Sequence, residues 1–83
     1  MQPHKIKIME DNDFLKKLGI KLKVLRSLKN LSQDDIANRL DIDKSYYSKV
    51  ERGLTNPTIL YLKNLSEVLG VNLEELVNAE IKI

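Results

Sequence analysis

The 83-residue sequence has no cysteine, only three glycines and a single histidine. Without cysteine, the chain forms no disulfide and offers neither a thiolate nucleophile nor a thiolate ligand for a metal. The three glycines stand far apart, so no glycine-rich loop is available to bind phosphate groups. The single histidine, His4, lies in a polar N-terminal segment. An ordinary exposed histidine explains it more simply than a catalytic group or a metal ligand does.

Long apolar runs are missing as well. No run approaches the roughly 20 residues that a membrane-spanning helix requires, and the core of a signal peptide is absent. We therefore expect a cytoplasmic protein that does not contact a membrane. The acidic side chains are spread over helix caps and outer helix faces instead of being gathered with a base or a nucleophile. The sequence thus predicts no enzyme, no metal site and no cofactor.

The length leaves room for one domain. We divide the chain into an N-terminal tail (1–10), a folded domain (11–79) and a C-terminal tail (80–83), and expect this domain to be the entire protein. So small a domain buries only about 60% of its unfolded surface and would gain from forming a dimer. Residues 1–52 carry more basic than acidic side chains, whereas residues 53–83 carry more acidic ones. The first part therefore suits a surface that faces phosphates, although a merely solvated surface is the alternative.

The spacing of apolar residues predicts five helices and an all-α fold. Apolar side chains of the first helix recur every three or four residues, at Phe14, Leu18, Leu22, Leu25 and Leu28. The fourth helix repeats this spacing at Ile59, Leu62, Leu65 and Leu69. The fifth helix has a short apolar stripe of Leu73, Leu76 and Val77. That stripe has little core left to cover, so we expect it at a dimer interface, with packing on helices one and four of its own chain as the alternative.

Residues 31–53 read as two short helices joined by a tight turn. Ser32 and Asp35 are placed to form a capping box at the start of the first helix, and Asp43 can cap the second. Tyr47 and Val50, three residues apart, form the inward side of the second helix. The other side consists of polar residues that project as a contact surface would, namely Lys44, Ser45, Tyr46, Ser48 and Lys49.

These two helices resemble the helix-turn-helix of the lambda-repressor/Cro-like family of DNA-binding proteins. The resemblance rests on five segments in the family's order and spacing: LGIKLKVLR (18–26), LSQDDIANRL (31–40), SKVERG (48–53), NPTILYLKNLSEVLGV (56–71) and NLEELV (72–77). One departure is Asp41, which stands at the turn position that the family usually gives to glycine. Aspartate tolerates a positive φ better than most residues, at some cost.

The resemblance implies a five-helix lambda-repressor-like fold whose third helix enters the major groove of DNA by its N-terminal end. It assigns the contacts with base edges to Lys44, Ser45 and Lys49. Lysine donates to O6 and N7 of guanine, so we expect a guanine in each half-site. The alternative is that both lysines contact only phosphates.

The same resemblance assigns a contact with the DNA backbone to Gln33, and further candidates for such contacts are Tyr46, Ser48, Arg52, Thr55 and Asn56. Gln33 stands at the positive end of the second helix, which favours an anion. For Thr55 and Asn56 the alternative is ordinary turn chemistry before Pro57. For Tyr46 the alternatives are contact with a thymine methyl group and an exposed but idle side chain. Arg26 and Glu51 match the family's buried salt bridge, with two separate surface charges as the alternative.

We therefore predict a sequence-specific regulator of transcription, by default a repressor, that binds double-stranded DNA as a homodimer on a two-fold operator. A restriction-modification controller and an antitoxin with a toxin partner are narrower alternatives. A protein-interaction module that does not bind DNA is a further one. Lys5–Ile8 and Glu80–Ile83 alternate apolar and charged residues, so short terminal strands compete with frayed tails as the prediction there.

Overall fold

The computed structural model describes residues 11–78, which form five helices. These are α1 (Asp11–Leu28), α2 (Gln33–Leu40), α3 (Lys44–Glu51), α4 (Ile59–Leu69) and α5 (Leu73–Val77). The all-α, five-helix fold is thus confirmed for this part of the chain. The two tails with alternating residues lie outside the described residues. Across 11–78, no helix has the length and the apolar character that crossing a bilayer would require.

Side-chain caps set where the helices begin. The hydroxyl of Ser32 accepts a hydrogen bond from the backbone N–H of Asp35 at 3.0 Å, and the Asp35 carboxylate accepts one from the Ser32 N–H at 2.8 Å. The capping box is therefore complete, and the bond from the Ser32 backbone lowers the pKa of Asp35. Asp43, Thr58 and Asn72 cap α3, α4 and α5, each by accepting a bond from a backbone N–H three residues later. The caps at Ser32 and Asp43 confirm the predictions made for them from the sequence.

Left-handed residues end the helices and turn the chain. Asn30 and Asp41 have φ angles of 57° and 54°, and Gly53 and Gly70 both have φ of 72°. Asp41 therefore adopts the conformation that the family's glycine would adopt, at the steric cost that a Cβ brings. The turn that it forms leaves only Asp41–Asp43 between α2 and α3, so the two helices stay packed on each other.

All five helices contribute to one core, and its buried side chains are Leu18, Leu22, Ile36, Tyr47, Val50, Leu62, Leu65, Leu69 and Leu76. Two residues of the predicted apolar stripes are largely exposed. Leu28 is 75% exposed and Ile59 is 64% exposed. Both lie at helix ends, since Leu28 is the last residue of α1 and Ile59 is the first of α4.

The apolar stripe of α5 packs against this core, as the alternative prediction for it stated, and its part in a dimer interface stays a prediction. Leu76 is fully buried within the single chain, and Leu73 and Val77 are half-buried against the same core. The reason is that α5 packs on both α1 and α4, which together cover its apolar side. The ammonium of Lys21 in α1 fixes this arrangement by donating to the carbonyl oxygen of Asn78 at 3.0 Å.

Candidate nucleic-acid interface

The orientation of α3 is fixed by two side chains on its inner side. Tyr47 and Val50 are both fully buried in the core. Because they lie three residues apart on a helix, the opposite side of α3 must face away from the core. Ser45 and Lys49 lie on that opposite side and Lys44 lies beside it in the first turn, and all three are exposed. The residues predicted to contact base edges therefore share one accessible helix surface.

The C-terminal end of α3 packs closely against α1. A Cβ built on Gly19 would lie 2.8 Å from the carbonyl oxygen of Val50, closer than real Cβ contacts come. Only glycine lets the backbone of α3 approach α1 so closely. Sequence reasoning assigned no role to Gly19. A signal was present, since glycine within a helix is unfavourable and points to a packing reason.

A buried ion pair ties the C-terminal end of α3 to α1. The guanidinium of Arg26 donates to both carboxylate oxygens of Glu51, at 2.7 Å from Nε and 3.1 Å from Nη2. A third donor of the same guanidinium reaches the carbonyl oxygen of Leu31 at 2.7 Å. Glu51 is buried, so this carboxylate has exchanged its hydration for protein donors. The two-pronged geometry fixes direction as well as distance.

Two further donors complete the shell around Glu51. The Tyr47 hydroxyl donates to Oε2 at 2.5 Å, and the Gln33 side-chain amide donates to Oε1 at 2.9 Å. Burial alone would raise the pKa of Glu51, but the hydrogen bonds from Arg26, Tyr47 and Gln33 outweigh it and lower that pKa. Burial, together with the bond to Glu51, raises the pKa of Tyr47. The cluster therefore holds an ionised carboxylate and a neutral phenol at the end of α3.

The Gln33 contact links the start of α2 to the end of α3. Gln33 is the first residue of α2, and its side chain is half-buried. A side-chain amide carries two N–H donors, and the bond to Glu51 occupies one of them. The second donor and the unpaired backbone N–H groups at the start of α2 form a set that suits an anion such as phosphate.

An ion pair crosses between the first turns of α2 and α3. The Lys44 ammonium lies 3.3 Å from Oδ1 of Asp34 and 3.4 Å from its Oδ2. Both side chains are mostly exposed. Sequence reasoning included Lys44 but not Asp34, because the contact joins residues ten positions apart across a turn whose geometry the sequence does not specify.

Tyr46 is less exposed than predicted. Its ring is half-buried and lies edge-on to the ring of Tyr61 in α4, with centroids 5.3 Å apart and planes at 80°. The idle, exposed side chain that sequence reasoning allowed is therefore wrong, because α4 offers an aromatic partner. Burial raises the pKa of Tyr61 to about 12. The Tyr61 hydroxyl is buried and has no hydrogen-bond partner within residues 11–78.

The remaining residues predicted to contact the DNA backbone lie in and after the last turn of α3. Arg52 is exposed, and its Nε donates to the carbonyl oxygen of Ser48 at 3.4 Å. Ser48 and Thr55 are half-buried, whereas Asn56 is exposed. Ser48 lies within α3, and Arg52, Thr55 and Asn56 come after it in the chain. Gln33 lies at the start of α2.

A family profile described as helix-turn-helix matches residues 20–76, more than half of the chain. The chain belongs to the helix-turn-helix family. The helix-turn-helix of this chain is α2, the turn through Asp41, and α3.

Several helix-turn-helix proteins are similar to this chain. Control protein C.MunI of a Mycoplasma species is 42% identical over 66 residues, which cover 78% of this chain and 89% of that protein. The regulator SinR of Bacillus subtilis is 37% identical over 62 residues, so the chain spans 56% of the length of SinR. Among solved structures, the restriction-modification controller protein C.AhdI from Aeromonas hydrophila has a TM-score of 0.72 at 37% identity, over 75% of this chain and 94% of that one. The chain is accordingly a helix-turn-helix DNA-binding regulator of transcription.

Proposed function

We propose that this regulator binds a two-fold DNA site as a homodimer, with α3 of each subunit in the major groove, and that it represses transcription by covering a promoter. The observation that carries the proposal is the buried cluster around Glu51. Four side chains there fix the end of α3 to α1 and α2, so its polar side is presented as a rigid surface. A preorganised surface binds without a large cost of ordering.

The side chains on that surface match the chemistry of DNA. Lys44 and Lys49 supply ammonium donors for O6 and N7 of guanine, and Ser45 can donate or accept. Gln33 supplies its second N–H to a phosphate, and Arg52 supplies a cation beyond the end of α3. The phosphate contacts set affinity and register, whereas the base contacts set sequence preference.

Exposed apolar residues beside α3 favour a dimer. Leu54, Ile59 and Leu60 are each more than half exposed, an unusual cost for three neighbouring large apolar side chains. The N–H of Leu54 donates to the carbonyl oxygen of Lys49 at 2.9 Å, so this patch adjoins the end of α3. Pairing two copies through it would bring two α3 helices close together, as half-sites about one helical turn apart require.

Selection of binders from a random pool of DNA duplexes tests the DNA-binding proposal. We expect the selected duplexes to share a two-fold motif that contains guanine. Titration at several salt concentrations should show a steep, linear fall of log affinity with log salt. A pool without enrichment, or an affinity that does not depend on salt, would contradict the proposal and favour a module that binds protein instead.

Sedimentation across a range of concentrations tests the dimer. Leu60→Glu should give a folded monomer, because a charge would then lie in the proposed contact. Leu28→Glu is the matched control, since Leu28 is the same residue type at an exposed position of α1. A dimer that Leu60→Glu leaves intact and Leu28→Glu disrupts would move the interface to α1.

A narrower role as a restriction-modification controller is the second candidate. The controller C.AhdI and control protein C.MunI are similar to this chain over almost their whole length, whereas the chain spans little more than half of SinR. The genomic position of the selected motif tests this role. A motif that lies upstream of methyltransferase or endonuclease genes supports it, and a motif elsewhere does not.

A further inference from the structure

The Lys44–Asp34 ion pair lies at the end of α3 that would enter the groove. Lys44 is the first residue of α3, and Asp34 is the second of α2. The two side chains are 53% and 66% exposed, and the ammonium lies within 3.4 Å of both carboxylate oxygens. An acidic side chain therefore sits beside a predicted base-reading cation, on a surface where phosphates must approach.

Helix capping does not account for the acid at this position. Ser32 and Asp35 already form the complete capping box at the start of α2, in which each side chain accepts from the other residue's backbone N–H. Asp34 takes no part in that box, so its contribution to the helix start is limited to a favourable charge near the positive helix end. Asparagine would avoid repelling phosphate at little cost to α2. The carboxylate thus places a negative charge on a surface that phosphates would approach.

We propose that Asp34 is a specificity-determining residue, which directs Lys44 toward a guanine edge and weakens its contact with the phosphates of other sequences. This inference rests on the proposed function of α3 in DNA binding. The Asp34 carboxylate acts on Lys44 through the observed ion pair, so Asp34 is a positioning residue and need not touch DNA itself.

Lysine has enough donors for Lys44 to keep its ion pair with Asp34 and still contact guanine. An ammonium group carries three N–H donors. One of them can remain on Asp34 while the other two reach O6 and N7 of guanine, so the cognate contact keeps the ion pair. A phosphate taking the place of guanine would bring its negative charge close to the Asp34 carboxylate. That repulsion applies to any DNA sequence on which Lys44 contacts a phosphate instead of a guanine.

The Lys44–Asp34 ion pair is also weak enough for a DNA group to compete with it. Exposed ion pairs contribute little to stability, because water screens them and long side chains lose freedom when they form. Asp34 therefore does not block Lys44; it changes the relative affinity of two competing partners. Such tuning acts on the ratio of cognate to non-cognate binding, which matters more in a genome than the cognate affinity alone.

Asp34→Asn tests the inference by fluorescence anisotropy on two probes, a duplex selected from the random pool and a scrambled duplex of the same composition. We expect affinity for the scrambled duplex to rise several-fold and affinity for the selected duplex to change less than about twofold. The salt dependence on the scrambled duplex should become steeper by about one phosphate contact. Glu74→Gln is the matched control, because it makes the same charge change at an exposed position of α5.

Several results would overturn the role of Asp34. An equal rise on both duplexes, as general electrostatics would give, would contradict it, and so would no change on either. The same is true if Asp34→Asn lowers discrimination equally in a Lys44→Gln background, since the effect would then not pass through Lys44. Wild-type protein that binds neither duplex would overturn the proposed function itself, which separates the two failures.

Discussion

Gly19 of α1 lies against the carbonyl oxygen of Val50 in α3, and a Cβ built on it would approach that oxygen to 2.8 Å. This contact places the last turn of α3 directly on α1. The Arg26–Glu51 ion pair joins the same two helices beside it. The distance and the direction of α3 are thus set by a close backbone approach and a two-pronged ion pair acting together.

Gly19→Ala should destabilise the fold by about 1–3 kcal/mol, because the added methyl group must push α3 away from α1. In an unhindered helix the same change would stabilise by up to about 1 kcal/mol, so the expected sign is opposite to that of helix propensity. Urea denaturation gives the free energy of unfolding. Lys23→Ala, at an exposed position of α1, is the control. A stabilised Gly19→Ala protein would show that the close approach does not exist in solution.

Arg26→Ala should cost about 3–5 kcal/mol, because it leaves the buried Glu51 carboxylate without its main partner. The double variant Arg26→Ala, Glu51→Ala should be more stable than the sum of the two single losses implies. Thermal melts of all four proteins give the coupling free energy. Additive losses would mean that the two side chains do not interact.

The same cluster predicts how stability depends on pH. The pKa of Glu51 is lowered by folding, so its stabilisation is present above the ordinary glutamate pKa and is lost as the pH falls through the lower folded value. The pKa of Tyr47 is raised, so its stabilisation is present below the ordinary tyrosine pKa and is lost as the pH rises through the raised value. Stability should therefore be greatest between these limits. Unfolding of Glu51→Gln, followed from neutral to acidic pH, should show a shallower loss than wild type.

Local chemistry in the sequence was enough to predict most of the fold. Ser32, Asp43, Thr58 and Asn72 each cap a helix as their residue types suggested, because capping depends on a few neighbouring atoms. The position of α5 could not be predicted in this way. The stripe of Leu76 is equally consistent with an internal and an external partner, and only the placement of α1 and α4 decides between them.

The candidate site, too, was predicted only in part. The family resemblance supplied Arg26, Glu51 and Gln33, and the structure brings all three together around one carboxylate. Contacts peculiar to this chain were not predicted. The Lys44–Asp34 pair and the Tyr46–Tyr61 ring contact both join separate helices. Such contacts depend on the angle between those helices, which no local pattern encodes.

Lys49→Ala should weaken binding to the selected duplex by about 1–3 kcal/mol while leaving the free energy of unfolding unchanged, because Lys49 lies exposed on α3 opposite the buried Tyr47 and Val50. Titration against selected and scrambled duplexes measures the effect. Lys63→Ala, at an exposed position of α4 without a predicted DNA contact, removes the same charge and serves as the control. Equal losses on both duplexes would reduce Lys49 to a phosphate contact.

Tyr47 of the core and Tyr61, which packs against the core, should respond differently to loss of the hydroxyl group. The Tyr47 hydroxyl donates to the Glu51 carboxylate at 2.5 Å. The Tyr61 hydroxyl is also buried but has no hydrogen-bond partner within residues 11–78. Tyr47→Phe should therefore cost about 1.5–3 kcal/mol, the usual value for a hydrogen bond to a charged group.

Tyr61→Phe should leave the free energy of unfolding unchanged or raise it by up to about 1 kcal/mol. The reason is that it removes a hydroxyl group that loses its hydration on folding and gains no hydrogen bond within residues 11–78. The ring itself, and with it the edge-on contact with Tyr46, is kept. Urea denaturation of wild type and both phenylalanine variants makes the comparison, with Tyr47→Phe as the matched control. A loss for Tyr61→Phe as large as that for Tyr47→Phe would mean that the Tyr61 hydroxyl is hydrogen-bonded in solution, through an ordered water or a residue outside 11–78.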